Sequence, residues 1–321
     1  MRILIGYDGS ESADAMLHDL SRAGLPRDVQ ALVVSVGEVM LAPAEIGNEV
    51  VGPPLTSRVV TEALARAASK SGAILKATQE FAEHAADRVQ SYFPNWTVQA
   101  EGVAGWPATE LISKADEWNA DLVVVGSRGR SPLGRFILGS VSKKVVSDAN
   151  HSVRVVRRTL EKDESKPPRI IIGVDGSLEA EEAVREVGMR VWPKGTEVRL
   201  VAVDDGTSPA KISRVLPTAA AMIKSSNGEA FGAAGMMVDW AERELRAIGL
   251  HVSVIMKKGD AQRVLVEEAQ RWDADSIFVG SRKFDGTFER FWLGSVSTAL
   301  VTKAHCSVEV VRSAITPFNQ S

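Results

Sequence analysis

The chain is 321 residues long, with 45% hydrophobic residues, 25% charged residues and a formal net charge of −3. That length suits two domains of about 150 residues, and the composition is that of an ordinary globular protein. The small net charge gives no electrostatic reason to expect a nucleic acid or an anionic membrane as partner. The one cysteine, Cys306, excludes an internal disulfide framework, and its apolar surroundings favour a buried structural thiol.

The first residues begin a strand at once. The run at residues 2–6 is mostly apolar, which leaves no room for a signal peptide before it. No apolar stretch approaches the roughly 20 residues that span a bilayer. We therefore expect no membrane partner and a cytoplasmic protein.

Strands and helices alternate through the first half of the chain. The first strand leads into a helix from about Ser12 to Ala23, and the helical spacing of Leu111, Ala115 and Trp118 predicts another over Ala108–Trp118. The later strands are short β-branched runs, typical of strands buried on both faces: Gln30–Val36, Thr97–Glu101, Asp121–Val125 and Ser152–Val156. This alternation predicts an open parallel sheet of five strands flanked by helices, in a Rossmann-like arrangement.

Three segments have a less regular pattern. Residues 37–54 and 204–227 are loop-rich insertions after the second strand of each half. The stretch from about Thr56 to Tyr92 has helical character but contains Gly72, a poor helix former. We expect two helices there rather than one.

The second half of the chain repeats the first. Four blocks recur in the same order, namely residues 5–10 with 172–177, 118–121 with 272–275, 135–142 with 290–297, and 152–157 with 307–312. Between the halves, residues 159–168 are rich in Lys, Glu and Asp and end in two prolines, which is typical of an exposed linker. The sequence therefore predicts homologous domains at residues 1–158 and 169–313, with a tail at 314–321. Each domain would hold one of two tandem five-stranded sheets.

Several polar and glycine residues fall at the carboxyl ends of strands, where open α/β sheets bind ligands. Asp8 follows the first strand, Val36 closes the second, and Gly126 follows the fourth. Asp8 can accept hydrogen bonds from an adenosine moiety, and Val36 can give apolar and backbone contacts.

The residues after Gly126 have the character of a phosphate cradle. Gly129 permits a turn with positive φ and a close approach of backbone N–H groups to an anion. The stretch Gly139–Ser142 opens the next helix, where unpaired N–H groups and the helix dipole favour a phosphate, and its serine hydroxyls can add donors. Arg128 either supplies positive charge or points into solvent.

This pattern resembles the ATP-binding motif of the universal stress protein family, in which Gly, two residues, Gly, nine residues and Gly are followed by Ser or Thr. The resemblance covers residues 1–313 and implies an adenine-nucleotide α-hydrolase-like fold with ATP, alone or with Mg²⁺, as ligand. It implies that the nucleotide contacts are Asp8, Val36, Gly126, Arg128, Gly129, Gly139, Ser140, Val141 and Ser142. Domains of this family pair through their last strands, so Ser152–Val156 would lie antiparallel to Ser307–Val311, and two chains would form a homodimer.

The second half departs from the motif. Lys283 stands where the second glycine belongs, and Gly294 lies one residue further along than the spacing requires, with Gly286 at a different point of the loop. The lysine side chain either closes the backbone pocket or binds a phosphate through its ammonium group. The corresponding candidates are Asp175, Val203, Gly280, Gly294, Ser295 and Ser297.

The same residues also have purely structural interpretations. A single glycine is most often a helix cap or a turn, and Asp8 and Asp175 each precede Gly-Ser at a helix start, so both are candidate N-caps. Trp118 and Trp272 are expected to be packing residues. The five histidines have no ligand spacing, so no metal site is expected.

The sequence lacks a P-loop, a dinucleotide-binding Gly-x-Gly-x-x-Gly and a nucleophile elbow. We therefore expect no catalytic residues, and ATP hydrolysis that is weak at most. The leading interpretation is an ATP-binding stress-response sensor or regulator with an unknown protein partner. The alternatives are an interaction protein that binds no nucleotide, and an enzyme of a related superfamily such as a nucleotidyl transferase or an electron-transfer flavoprotein.

Overall fold

The computed structural model describes residues 1–37, 57–127, 138–157, 166–204, 232–281 and 294–312, without the side chains of residues 11, 12 and 57–71. Several sequence predictions fall outside these residues. They concern Arg128, Gly129, Lys283 and Gly286, most of both insertions, the linker residues 159–165 and the tail.

The first half contains five strands and four helices within its described residues. In chain order they are β1 (Arg2–Gly6), α1 (Glu11–Leu20), β2 (Gln30–Gly37), α2 (Ser57–Tyr92), β3 (Thr97–Ala104), α3 (Pro107–Trp118), β4 (Leu122–Gly126), α4 (Ser140–Asp148) and β5 (Ser152–Val156). Each predicted strand is present, with ends that differ by at most three residues from the prediction.

The second half repeats this order over its described residues. Its elements are β6 (Arg169–Val174), α5 (Leu178–Met189), β7 (Glu197–Asp204), α6 (Gly232–Ala247), β8 (His251–Lys258), α7 (Ala261–Trp272), β9 (Ser276–Gly280), α8 (Ser295–Lys303) and β10 (Ser307–Val311).

All ten strands form one sheet in the order β3-β2-β1-β4-β5-β10-β9-β6-β7-β8. Neighbours within each half are parallel, whereas β5 and β10 are antiparallel and join the two halves. The predicted fold class is confirmed, and so is the antiparallel pairing of the last strands. In each half the strand order reverses between the first and fourth strands, which is where doubly wound folds bind ligands.

Helix α2 corrects one sequence prediction. It runs as a single helix over Ser57–Tyr92, so the predicted break near Gly72 is wrong. Gly72 is solvent-exposed, and a Cβ built on it would meet no described atom within 4 Å. A glycine there costs up to about 1 kcal/mol of helix propensity, which a long helix tolerates when its neighbours pack against a sheet.

The hydrophobic core is continuous across the junction of the halves on one face of the sheet. One cluster contains Val123 and Val153 together with Ile277 and Leu300, while the opposite face has a separate cluster in each half. Cys306 is fully buried in the shared cluster, as predicted.

Trp118 and Trp272 are packing residues, as predicted. Both are partly buried against the shared cluster. The Arg2 guanidinium lies 6.0 Å from the ring centroid of Trp118, and that of Arg199 lies 4.1 Å from the ring of Trp272. No helix among the described residues is both long and apolar enough to cross a bilayer.

Candidate functional site

The carboxyl ends of β1 and β4 lie side by side in the first half. Gly6 is paired in register with Val125, so Asp8 and Gly126 leave the sheet from adjacent strands. The backbone N–H of Tyr7 still donates to the carbonyl oxygen of Val34 on β2, at 2.9 Å. The structure therefore brings the predicted residues Asp8 and Gly126 together at the point where the strand order reverses.

Asp8 is not the N-cap of α1. Its Oδ1 accepts a hydrogen bond from the backbone N–H of Ser10 at 3.0 Å, and the hydroxyl of Ser10 caps the helix by accepting from the N–H of Ala13 at 3.2 Å. The second half has the same arrangement, with Asp175 accepting from Ser177 N–H at 3.0 Å. The capping interpretation of the two aspartates is therefore wrong, because a serine fills the N-cap position in each half.

The N-terminus of α4 is fixed directly above the end of β4. The N–H of Gly139 donates to the carbonyl oxygen of Ser127 at 2.9 Å, and the hydroxyl of Ser142 donates to that of Gly126 at 2.6 Å. Gly139 is the N-cap and provides no side-chain cap, so the first N–H groups of this nine-residue helix are not satisfied by a capping side chain. Ser140 is exposed and Val141 is half-buried. The helix end therefore has the form of an anion site.

Ser142 has a positional role that sequence reasoning missed. Only 4% of the residue is exposed, and its hydroxyl proton is used in the bond to Gly126. The side chain holds the helix on the strand rather than standing as a free donor beside the helix end.

The far side of the site is formed by the ends of β2 and β3. Val36 is half-buried, and the next residue, Gly37, accepts a hydrogen bond from the N–H of Gly105 at 3.0 Å. A Cβ added to Gly37 would lie 2.3 Å from Cγ2 of Ile74, which shows how closely α2 covers this strand end. Val36 itself faces the other side of the sheet, where it is partly buried against the shared cluster.

Trp106 stands beside this edge and was not selected from the sequence. It follows Gly105, is 76% exposed and occupies the N-cap position of α3 without making a capping bond. The equivalent residue of the second half is Asp260, whose carboxylate caps α7 by accepting from Arg263 N–H at 2.7 Å. Comparison of the two repeats could have identified Trp106 from the sequence, because a large aromatic residue stands where the other repeat has a helix-capping aspartate.

Tyr7, the residue before Asp8, keeps its hydroxyl proton at neutral pH. The hydroxyl of Tyr7 donates to Oδ1 of Asp14 at 2.9 Å, and Arg88 Nη1 contacts the same oxygen at 2.5 Å. Burial, reinforced by the bond to Asp14, raises the pKa of Tyr7 to about 12. Tyr7 therefore acts as a fixed support for the loop that carries Asp8.

The second half places its candidates at the equivalent strand ends. Gly280 closes β9, and the exposed Gly294 and Ser295 begin α8, with Ser297 buried behind them. Val203 is half-buried next to the end of β7, and Asp175 is exposed after β6. This half also repeats the topology around the reversal point.

Two details describe the strand end of the second half. A Cβ added to Gly280 would lie 2.1 Å from the carbonyl oxygen of Glu179, so the first turn of α5 closes tightly over this strand end. Within the part of the chain that the structure describes, the buried hydroxyl of Ser281 has no hydrogen-bond partner. Among the described residues no cluster of His, Cys, Asp and Glu side chains is arranged to hold a metal ion.

Two doubly wound Rossmann-like units, each with a helix N-terminus at its reversal point, define the chain as a tandem α/β protein. The chain belongs to the universal stress protein family, whose model matches residues 1–157 and 167–312. A universal stress protein of Mycolicibacterium smegmatis is 28% identical over 317 residues, which cover 97% of this chain and 96% of its own.

Solved structures that superpose over nearly the whole chain have the same fold. A universal stress protein of Archaeoglobus fulgidus superposes with a TM-score of 0.59 at 20% identity, over 98% of this chain and 97% of its own. A family protein of Arabidopsis thaliana, solved with AMP bound, matches 48% of this chain and 97% of its own, at 19% identity and a TM-score of 0.35.

Proposed function

We propose that the first half binds ATP at the reversal point between β1 and β4, and that the protein is a regulator or sensor rather than a metabolic enzyme. The observation that carries the proposal is the fixed N-terminus of α4, held over Gly126 by Ser142 and lying beside Asp8. The proposed phosphate contacts are the backbone N–H groups at Gly139–Ser142, with Gly129 and Arg128 completing the cradle by the family motif.

At the other end of the proposed site, Asp8 accepts hydrogen bonds from the ribose and Val36 contacts the base. Trp106 extends this wall, because its exposed indole lies just beyond the strand end next to Gly37. Aromatic rings stack on bases with about 1–3 kcal/mol per base, so this side chain is proposed to help hold adenine.

The proposal assigns binding rather than catalysis. Tyr7, the titratable neighbour of Asp8, is held protonated and bonded to Asp14, so it does not serve as a general base at neutral pH. Binding would change the surface presented by residues 126–142 and thereby the affinity for a protein partner. The proposal includes a cytoplasmic location, bound Mg²⁺ with the triphosphate and association of two chains.

The second half is proposed not to bind ATP. The motif glycine is replaced by Lys283, and Gly294 lies one residue further along than the motif spacing requires. The second half would then bind a protein partner through a surface that does not change with ATP. In this respect it would match the alternative of an interaction protein that binds no nucleotide.

Calorimetric titration of nucleotide-free protein with Mg-ATP tests the proposal. We expect one site per chain, lost in Gly129→Val and kept in Gly294→Val. Gly294→Val, at the start of α8 in the second half, is the control, since a Cβ at Gly294 would meet no described atom within 4 Å. Two sites per chain would show that Lys283 is tolerated, and no binding at all would overturn the proposal in favour of a protein that only interacts with partners.

A further inference from the structure

A row of five charged side chains crosses the junction of the two halves. Arg154 at the centre of β5 donates from Nε to Asp19 at 2.7 Å and from Nη1 to Glu309 at 3.3 Å. Glu309, at the centre of β10, is also bonded to Arg190, which pairs with Glu186 at 2.9 Å. The side chains of Arg154 and Arg190 are 2% exposed and that of Glu309 is 0% exposed.

The contacts around this row are reciprocal between the halves. Arg157, just after β5, donates to the carbonyl oxygen of Val301 at the end of α8, at 2.6 Å. Its repeat equivalent, Arg312 after β10, donates to the carbonyl oxygens of His151, at 2.9 Å, and Val146 at the end of α4. Each last strand thus sends an arginine to the carbonyl end of the other half's last helix, where a cation is favoured.

Two serines complete the reciprocal set. Ser152 Oγ accepts from the N–H of Arg312 at 3.0 Å, and Ser307 Oγ accepts from the N–H of Arg157 at 3.3 Å. Because the same residue types occur at equivalent places in both halves, these contacts would form equally well if two identical halves were paired. They hold the junction together but do not select the partner.

The central pair breaks this equivalence. Arg154 and Glu309 are the third residues of their strands, occupy the same place in the repeat and face each other in register. Pairing two first halves would place Arg154 opposite Arg154, and pairing two second halves would place Glu309 opposite Glu309. Like charges brought together in a buried interface cost several kcal/mol, and each centre would also lose one ionic hydrogen bond.

A steric difference adds to the charge difference. Gly24, with φ of +65°, lies against the indole of Trp192, and a Cβ on Gly24 would come within 2.5 Å of that ring. The carbonyl oxygen of Gly24 accepts from the N–H of Val191 at 2.8 Å. Val191 is the repeat equivalent of Gly24, so two paired second halves would bring a valine side chain into the space that Trp192 needs.

We propose that the β5–β10 junction is a partner-selecting interface, in which the surface of each half accepts the opposite half and rejects a second copy of itself. The partner that fits the first half is therefore the second half, of the same chain or of a neighbouring copy. Buried ionic groups contribute more to such selection than to net stability, because apolar side chains of similar volume would pack as well. The inference is independent of nucleotide binding.

The test uses the full chain with a protease site inserted between residues 159 and 165. An isotope-labelled batch and an unlabelled batch are folded, cleaved and mixed. The mixture is held just below the denaturant concentration at the midpoint of unfolding, until labelled and unlabelled halves have exchanged at random. Native mass spectrometry then counts pairs of unlike and like halves. The exchange itself proves that halves have separated and paired again. A second preparation carries Arg154→Met together with Glu309→Met, which removes the central charges at similar volume.

We expect the unmodified junction to give only unlike pairs, with like pairs below about one in a hundred. The double methionine variant is expected to give pairs of two first halves as well, while pairs of two second halves stay absent because Val191 opposes Trp192. Like pairs at their random share in the unmodified protein would overturn the proposal. If both preparations gave only pairs of unlike halves, selection would not depend on Arg154 and Glu309. That result would overturn the role proposed for these two charges.

Discussion

The hydroxyl of Ser142 donates a 2.6 Å hydrogen bond to the carbonyl oxygen of Gly126. This bond joins the first turn of α4 to the last residue of β4 across 16 residues of sequence. The buried side chain of Ser142 therefore helps to hold the N-terminus of α4 on the end of β4.

Ser142→Ala tests this relationship. The change leaves a carbonyl oxygen without its partner, so we expect about 1 kcal/mol less unfolding free energy and roughly fivefold weaker binding of Mg-ATP. Chemical denaturation and calorimetry measure the two quantities. Ser297→Ala, the equivalent change in the second half, is the control and should leave ATP affinity unchanged. Full affinity in Ser142→Ala would show that the loop alone positions the helix.

Trp106→Asp separates binding from stability. Aspartate is the residue of the second repeat at this place and a good N-cap, so we expect α3 to be stabilised by about 0.5–1 kcal/mol. Loss of the indole should weaken ATP binding about tenfold, while Trp106→Phe should keep most of the affinity. A Trp106→Asp protein that binds ATP as tightly as the parent would remove Trp106 from the proposed site.

Glu268 makes the free energy of unfolding depend on pH. Its carboxylate is 3% exposed and contacts Arg199 and Lys257, each at 2.8 Å. Burial alone would raise its pKa, but the bonds to Lys257 and Arg199 outweigh it and hold the pKa below the ordinary value. A lowered folded-state pKa gives stability that is present above the unfolded pKa and lost as the pH falls through the folded pKa.

We therefore expect Glu268→Gln to cost about 3 kcal/mol at neutral pH, with the difference from the parent shrinking below about pH 4. Denaturant unfolding over a pH series measures it. The control is Glu267→Gln on the same helix, where an exposed pair with Arg263 should contribute less than about 0.5 kcal/mol. A pH-independent difference for Glu268→Gln would rule out the ionic explanation.

Gly72→Ala should raise the unfolding free energy by about 0.5–1 kcal/mol, because the new methyl group has open space and a better helix propensity. Gly102→Ala provides the contrast on β3. Its Cβ would lie 2.3 Å from the backbone nitrogen of Gln79, so we expect destabilisation. Thermal unfolding measures the stability of both variants. A lower stability of Gly72→Ala would show that α2 requires the glycine.

Most of the fold could be predicted from the sequence. The strands are buried on both faces and therefore appear as continuous apolar runs, and the repeat shows each element twice. The continuity of α2 could not be predicted, because local propensity at Gly72 does not include the packing of Ile74 and Thr78 against Gly37.

The placement of the candidate residues could be predicted from the sequence, but their contacts could not. Asp8 and Gly126 follow strands, so the topology alone brings them together. The capping roles of Ser10 and Ser177 could not be assigned, since an aspartate two residues earlier offers the same chemistry. The ionic selection at Arg154 needed the strand register, which only the structure provides.

The antiparallel junction has a consequence for how the molecule meets its surroundings. Carboxyl ends of antiparallel strands point in opposite directions, so the two reversal points open on opposite sides of the molecule. Four strand spacings separate them along the sheet, or about 19 Å. A partner docking over one side would leave the other accessible. One side carries the intact motif and the other carries Lys283. Under the proposed function, one side of the protein would respond to ATP and the other side would stay the same.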